Sequence, residues 1–183
     1  MIFCEEPRPE DVEGVVGIKV RRMKFANQAE QIAFLRAMVN RYRANQLIRE
    51  KAHKITENVP DRARALQAVA IAKWVQENIR YVNEGIETFQ SPVRTLTYRV
   101  GDCDDFTTLV GSLLESIAIP AELVGLEWKG QFRHIFPRAI VKDSSGKSIR
   151  LPLDATLKQS VTKLTNPIAI AIKRGNNPRI LAL

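Results

Sequence analysis

Cysteine is scarce in this chain. Cys4 and Cys103 are the only two in 183 residues. Two cannot build a disulfide framework, so a reducing compartment is the simpler expectation. Glycine is thin as well, and no GxxxxGK or other glycine-rich phosphate loop occurs. Cysteine and histidine do not recur at zinc-finger spacing. No apolar run approaches a membrane span. The opening residues, MIFCEEPRPEDVEG, are acidic and unlike a secretory signal. The expectation is a soluble protein made in the cytoplasm. Aromatics are 7% of the chain and few lie among the basic residues, which counts against a stacking platform for single-stranded nucleic acid. Acidic residues are outnumbered, and the net charge is +8. That suits an anionic partner or a plain solvated basic face, and nucleic acid is not the expected partner.

What is present is an ordinary globular balance, 45% hydrophobic and 26% charged, long enough for one proper core. The chain is organised around Gly101 to Ile117, GDCDDFTTLVGSLLESI. Phe106, Leu109, Val110, Leu113, Leu114 and Ile117 recur at three- and four-residue spacing, which predicts an amphipathic helix. Asp102 reads as its N-cap, with Asp105 three residues on as in a capping box. Cys103 is then the first helical residue, on the core face. Backbone N–H groups and the helix dipole there favour thiolate and could hold an oxyanion. The flanking aspartates oppose a thiolate, so a reactive Cys103 needs a cationic partner. The bland alternative is a buried, inert cysteine. Cys4, beside Glu5 and Glu6, is expected to stay a thiol.

Residues 1–27 read as an arm with a short strand near VVGIKV, and acidic residues there precede a basic cluster. Residues 28–56 read as one helix with Ile32, Leu35, Val39, Tyr42 and Leu47 on one face. His53 is expected exposed at its end, with no catalytic role. A second helix, roughly Asp61 to Val82, carries a wide apolar face through Leu66, Val69, Ile71, Trp74, Val75 and Ile79. Residues 83–100 read as a long connecting loop, a place where function often lies. Three strands follow: AELVGLEW (121–128), FRHIFPRAIV (132–141) and SIRLPLD (148–154). Pro137 hints at an edge or a bulge in the middle one. The tail from Leu157 carries Lys158, Lys163, Lys173, Arg174 and Arg179 and no acid.

A turn centred on Ser144 and Ser145 sets His134 opposite Ala155 and Asp154 opposite Ile135. His134 and Asp154 then sit at the same end of one hairpin, within reach of each other. The three residues have complementary roles. Cys103 is a nucleophile, His134 the base for its proton, and Asp154 the group that orients the imidazole. Three unconnected residues, or a metal site, are the competing readings.

These same segments resemble the transglutaminase-like cysteine protease superfamily, of bacterial and phage type. The resemblance lies in GDCDDFTTLVGSLLESIAIPAELV, RHIFPRAIV and LPLDAT, with WVQENIRYVNEG and FQSPVRTL before them. It runs from about Ala70 to Thr156. It implies a papain-like α+β fold, with N-terminal helices and the cysteine-bearing helix packed on an antiparallel sheet. It implies acyl transfer through a thioester on Cys103, with His134 as general base and acid and Asp154 as orienter. Gln90 or the backbone N–H of Cys103 would supply the oxyanion hole. The substrate would be a protein or peptide, and neither a cofactor nor a metal is implied. The expected organisation is an arm and helix over 1–60, a catalytic core over 61–157 and a basic tail over 158–183. The charged ends 1–27 and 158–183 would suit attachment to partners in a larger assembly such as a virion, which is the rival to an enzyme.

Overall fold

The computed structural model describes residues 2–5, 19–22, 24–82, 88–128, 131–156 and 179–182. Its helices are α1 (Gln28–Tyr42), α2 (Gln46–Thr56), α3 (Arg64–Asn78), α4 (Pro92–Tyr98) and α5 (Cys103–Ser116). Its strands are β1 (Ile2–Glu5), β2 (Lys19–Arg22), β3 (Arg80–Tyr81), β4 (Thr88–Gln90), β5 (Val100–Gly101), β6 (Ala121–Trp128), β7 (Gln131–Lys142), β8 (Ser148–Pro152) and β9 (Arg179–Ala182). The fold is α+β. Helices gather on an antiparallel sheet of order β8-β7-β6-β9. Among the described residues no helix is long and apolar enough to cross a membrane.

The predicted capping box at the start of α5 is present in full. Asp102 accepts from the N–H groups of Asp104 and Asp105, and the Asp105 carboxylate accepts from the N–H of Asp102. The helix is not amphipathic in the expected sense, however. Every residue from Asp104 to Leu114 is buried. The four other helices and strands β6 and β7 all contact it. Its threonines find partners in the helix and in β7, while the buried Ser112 hydroxyl has none among the described residues. The Thr108 hydroxyl donates to the Asp105 carbonyl at 3.1 Å and the Thr107 hydroxyl to the Ile135 carbonyl at 3.1 Å. Leu109, Leu113 and Leu114 supply the apolar share, about 1.5–3 kcal/mol for each fully buried side chain.

The helical stretch expected over 28–56 is two helices. Asn45 breaks it, accepting from the N–H groups of Leu47 at 3.0 Å and Ile48 at 3.4 Å as a new N-cap. The restart shifts the phase. Ile48 and Ala52 enter the core and Leu47 turns outward. The next helix is shorter than expected, and Leu66 is likewise exposed. His53 is exposed in the last turn of α2, as expected.

The expected loop 83–100 is largely structured where it is described. β4 is anchored by Phe89, whose ring packs with Phe25 and Phe34 at centroid distances of 6.0 and 5.7 Å. Ser91 then caps α4, accepting from the Arg94 N–H at 3.1 Å, with Pro92 in the first turn. The ends of the chain are not arms where they are described. β1 pairs with β2 antiparallel and with β4 in parallel, and β9 pairs with β6 in the main sheet. Lys158, Lys163, Lys173 and Arg174, residues 15–18 of the strand expected at VVGIKV (whose last two residues open β2), and the tip of the 128–131 loop lie outside the described residues.

Two details of β7 position the site. First, the hairpin register differs by one residue from the expectation. Lys142 faces Ser148 and Arg138 faces Pro152. The turn is centred on Ser145, with the Gly146 N–H donating to the Asp143 carbonyl and Gly146 at φ 82°. A one-residue change in register moves side chains to the other face. The observed register puts Asp154 in line with Phe136 and His134, where the expected one would have set His134 and Asp154 on opposite faces. Second, β7 is an inner strand despite Pro137. The Pro137 carbonyl accepts from the Leu153 N–H at 2.9 Å, so its missing N–H faces the point where the ladder with β8 ends.

Candidate active site

His134 and Asp154 meet. The imidazole Nε2 lies 2.6 Å from Asp154 Oδ2, and the Asp154 side chain is fully buried. The other carboxylate oxygen, Oδ1, accepts from the Thr156 N–H at 3.1 Å and the Thr156 hydroxyl at 2.6 Å. A buried carboxylate needs such donors. With them Asp154 is fixed in place and fixes the ring in turn. That leaves Nδ1 as the ring nitrogen not committed to Asp154. The His134 ring also stacks with Phe136 at 6.1 Å. Just before His134 the pairing with β6 slips, with Leu126 facing His134 and Glu127 facing Phe132. Such bulges re-aim side chains beside functional sites.

Cys103 opens α5 on the core side, partly buried against the apolar cluster. Its thiol donates to Asp104 Oδ1 at 3.8 Å. One turn along, Thr107 is bonded to the carbonyl of Ile135, the residue after His134. This bond ties the first turn of α5 to β7 beside the imidazole. Thiol and imidazole therefore belong to two elements locked together at one end of the helix, and the carboxylate, two residues past the end of β8, joins them through its bond to the imidazole.

Gln90 is at this end too, in a different role from the one expected. Its side-chain Nε2 donates to Asp105 Oδ2 at 2.9 Å and to the Val100 carbonyl at 3.2 Å, and its backbone N–H donates to Asp105 Oδ1 at 2.8 Å. Both N–H groups of the carboxamide are committed, so it has none to turn toward an oxyanion. Gln90 instead pins the cap of α5 to β4. Burial pushes the Asp105 carboxyl up to about 7, helped by the Asp102 charge and opposed by the bonds from Gln90 and the Asp102 N–H.

One residue at the site escaped the sequence reading. Tyr81 pairs with Gly101 in the parallel β3–β5 ladder, and its ring meets Phe106 edge-on at 5.8 Å. Burial raises the phenol pKa, and the charges of Cys103, Asp102, Asp104 and Asp154 raise it further. Its signal is an aromatic at the end of a helical segment, and the helix expected over Asp61 to Val82 takes it in, whereas α3 ends at Asn78 and Tyr81 lies in β3. Among the described residues no three His, Cys, Asp or Glu side chains gather as a metal-binding group.

Residues 49–147 match the transglutaminase-like superfamily. The chain belongs to that superfamily. Its structure is similar to that of a candidate cysteine protease from Cytophaga hutchinsonii, with a TM-score of 0.52 at 20% identity, over 82% of this chain and 52% of that one. It is also similar to a candidate protease from Parabacteroides distasonis, with a TM-score of 0.53 at 14% identity, over 69% of this chain and 26% of that one. This chain thus spans about half and a quarter of those two proteins. No curated protein matches its sequence.

Proposed function

We propose that this protein is a cysteine-dependent amide-bond hydrolase or acyltransferase acting on a protein or peptide through Cys103, His134 and Asp154. The observation that carries the reading is the 2.6 Å His134–Asp154 pair on the strand that Thr107 ties to the cysteine helix. In this reading Asp154 holds Nε2–H, so the Nδ1 lone pair takes the Cys103 proton. The sulfur attacks the acyl carbon, and the carbonyl oxygen takes up the charge. Collapse of that adduct breaks the C–N bond, and His134 gives its proton to the leaving amine. A thioester on Cys103 remains. Water then attacks it, His134 takes the proton, the C–S bond breaks and a carboxylic acid leaves. A lysine amine in place of water would give a new amide by the same steps. Water is the more abundant acceptor, which favours hydrolysis. A role as a virion or assembly subunit stays second, because the described parts of both ends pair into sheets.

Alkylation of Cys103 by iodoacetamide, in a Cys4→Ser background, tests the pairing. Rapid labelling at about pH 5–6, well below the free-thiol range, is expected and should disappear in His134→Ala. Labelling that rises only near the free-thiol range, indifferent to His134→Ala, would sink the reading.

A further inference from the structure

The Gln90 carboxamide has no N–H left for an oxyanion, yet an acyl transfer at Cys103 develops charge on the acyl oxygen, which the backbone N–H of Cys103 would meet with a single donor. The molecule offers a second donor at the same end of α5. We propose that the hydroxyl of Tyr81 donates a hydrogen bond to the substrate's acyl oxygen beside Cys103, a role that rests on the cysteine reading above.

The backbone holds Tyr81 beside the nucleophile. The Val82 N–H donates to the Gly101 carbonyl at 2.9 Å and the Arg80 N–H to the Arg99 carbonyl at 2.9 Å. Tyr81 is thereby set opposite Gly101, two residues before Cys103. The ring is held by Phe106 at 5.8 Å and an interplanar angle of 70°. Phe106 is one turn from Cys103 on the same side of α5, so the ring that touches it stands next to the thiol's position. The residue is 46% exposed, a high figure for a large aromatic this well anchored. Among the described residues the hydroxyl makes no hydrogen bond, which leaves its proton available. The phenol feels Cys103 and Asp154 together, so it stands within the electrostatic reach of both. Burial and the acidic surroundings keep it protonated, as a donor must be.

Tyr81→Phe removes only the hydroxyl and keeps the ring on Phe106, so the fold is preserved. Two reactions of the same thiol separate the roles. Acylation by p-nitrophenyl acetate passes through an oxyanion, read as the burst of p-nitrophenolate. Alkylation by iodoacetamide displaces iodide at a CH₂ group and needs no oxyanion donor. Both are measured in the Cys4→Ser background, with Cys103→Ala alongside. The expected result is a loss of about 10- to 100-fold in the acylation rate of Tyr81→Phe with the alkylation rate unchanged. Unchanged acylation in Tyr81→Phe, or an equal fall in both rates, would overturn the proposal and leave the cysteine reading standing. A wild-type burst that is absent, or that survives Cys103→Ala, would overturn both.

Discussion

Both ends of α5 gather charged side chains, and they treat them in opposite ways. At the C-terminal end Glu115, its side chain 5% exposed, lies between Arg36 Nη1 at 2.5 Å and Arg43 Nη1 at 3.4 Å. Arg36 also donates to the Ala121 carbonyl at 3.0 Å, and Arg64 donates to the Ile117 carbonyl at 3.0 Å. Permanent cations there meet a carboxylate, the Ile117 carbonyl at the helix end and the first carbonyl of β6. At the N-terminal end the acids are held differently. Asp105 is held by a carboxamide and backbone N–H groups, and Asp154 by a hydroxyl, a backbone N–H and an imidazole. Neutral donors and an imidazole leave room for protons to come and go. An arginine does not. The first arrangement can only stabilise, and the second can also do chemistry.

The sharpest way to break this contrast is Cys103→Ala. It should remove all thiol-dependent turnover while the thermal midpoint stays close to the wild-type value, since a small, partly buried thiol is lost from the edge of the core. A large loss of stability would mean that the N-terminal end is structural as well. Glu115→Ala is the mirror experiment. It leaves two guanidinium groups without their carboxylate at the other end of the helix. A loss of about 1–3 kcal/mol in a urea titration is expected, since both guanidinium groups reach water, with Cys103 alkylation at its wild-type rate in the molecules that remain folded. A changed alkylation rate would mean that the two ends are coupled along α5.

The cysteine-bearing end is the more legible of the two in sequence. Asp102, Cys103 and Asp105 announce a helix start through local hydrogen bonding alone, and strands alternate visibly around His134. The His134–Asp154 contact was anticipated even though the register was one residue off, because both residues sit at the open end of a short hairpin. Loop length decides the register, and a three-residue turn closed by Gly146 differs from a two-residue one by a single position. What the sequence hid were long-range matters. The ion cluster at Glu115 joins residues 72 and more apart in the chain, and no periodicity reports such a pairing. The true partner of Gln90 depends on how β4 lies against α5. The restart at Asn45 and the cap at Ser91 were local and could have been read. A polar residue capable of capping stands just before each helix, and Pro92 follows Ser91.

Asp105 sharpens the comparison through pH. Its folded carboxyl titrates at about 7 against an ordinary value of 3.8. The folded state therefore holds this proton more tightly than the unfolded chain does. The contribution to stability is whole below the ordinary value, drains away as pH rises toward about 7, and is level above it. The unfolding free energy from urea titrations should fall across that window by up to about 1.4 kcal/mol for each pH unit. In Asp105→Asn the fall should vanish from the variant's own profile, so that the difference between parent and variant carries it, whatever the cost of placing an amide NH₂ against Gln90. If the parent and Asp105→Asn show the same profile, the carboxyl is ionised throughout and the buried acid is compensated in some other way.

The two glycines that border α5's packing give the smallest and most discriminating test. A Cβ on Gly101 would come 2.7 Å from Asp105 Cβ and 2.9 Å from Oδ2. Asp105 is unable to swing aside, because Gln90 holds both of its oxygens. Gly101→Ala should therefore cost about 1–3 kcal/mol and slow the alkylation of Cys103, since the strain falls on the cap that sets the thiol. A Cβ on Gly111 meets Val39 Cγ2 at 3.0 Å, a methyl on the facing helix that can yield by a few tenths of an ångström. Alanine also gains about 1 kcal/mol over glycine inside a helix. Gly111→Ala should come out near neutral, with alkylation unchanged. The same substitution on the same helix would thus injure one end and spare the middle. The reverse result would mean that α1 and α5, rather than the Asp105 clamp, set the position of Cys103.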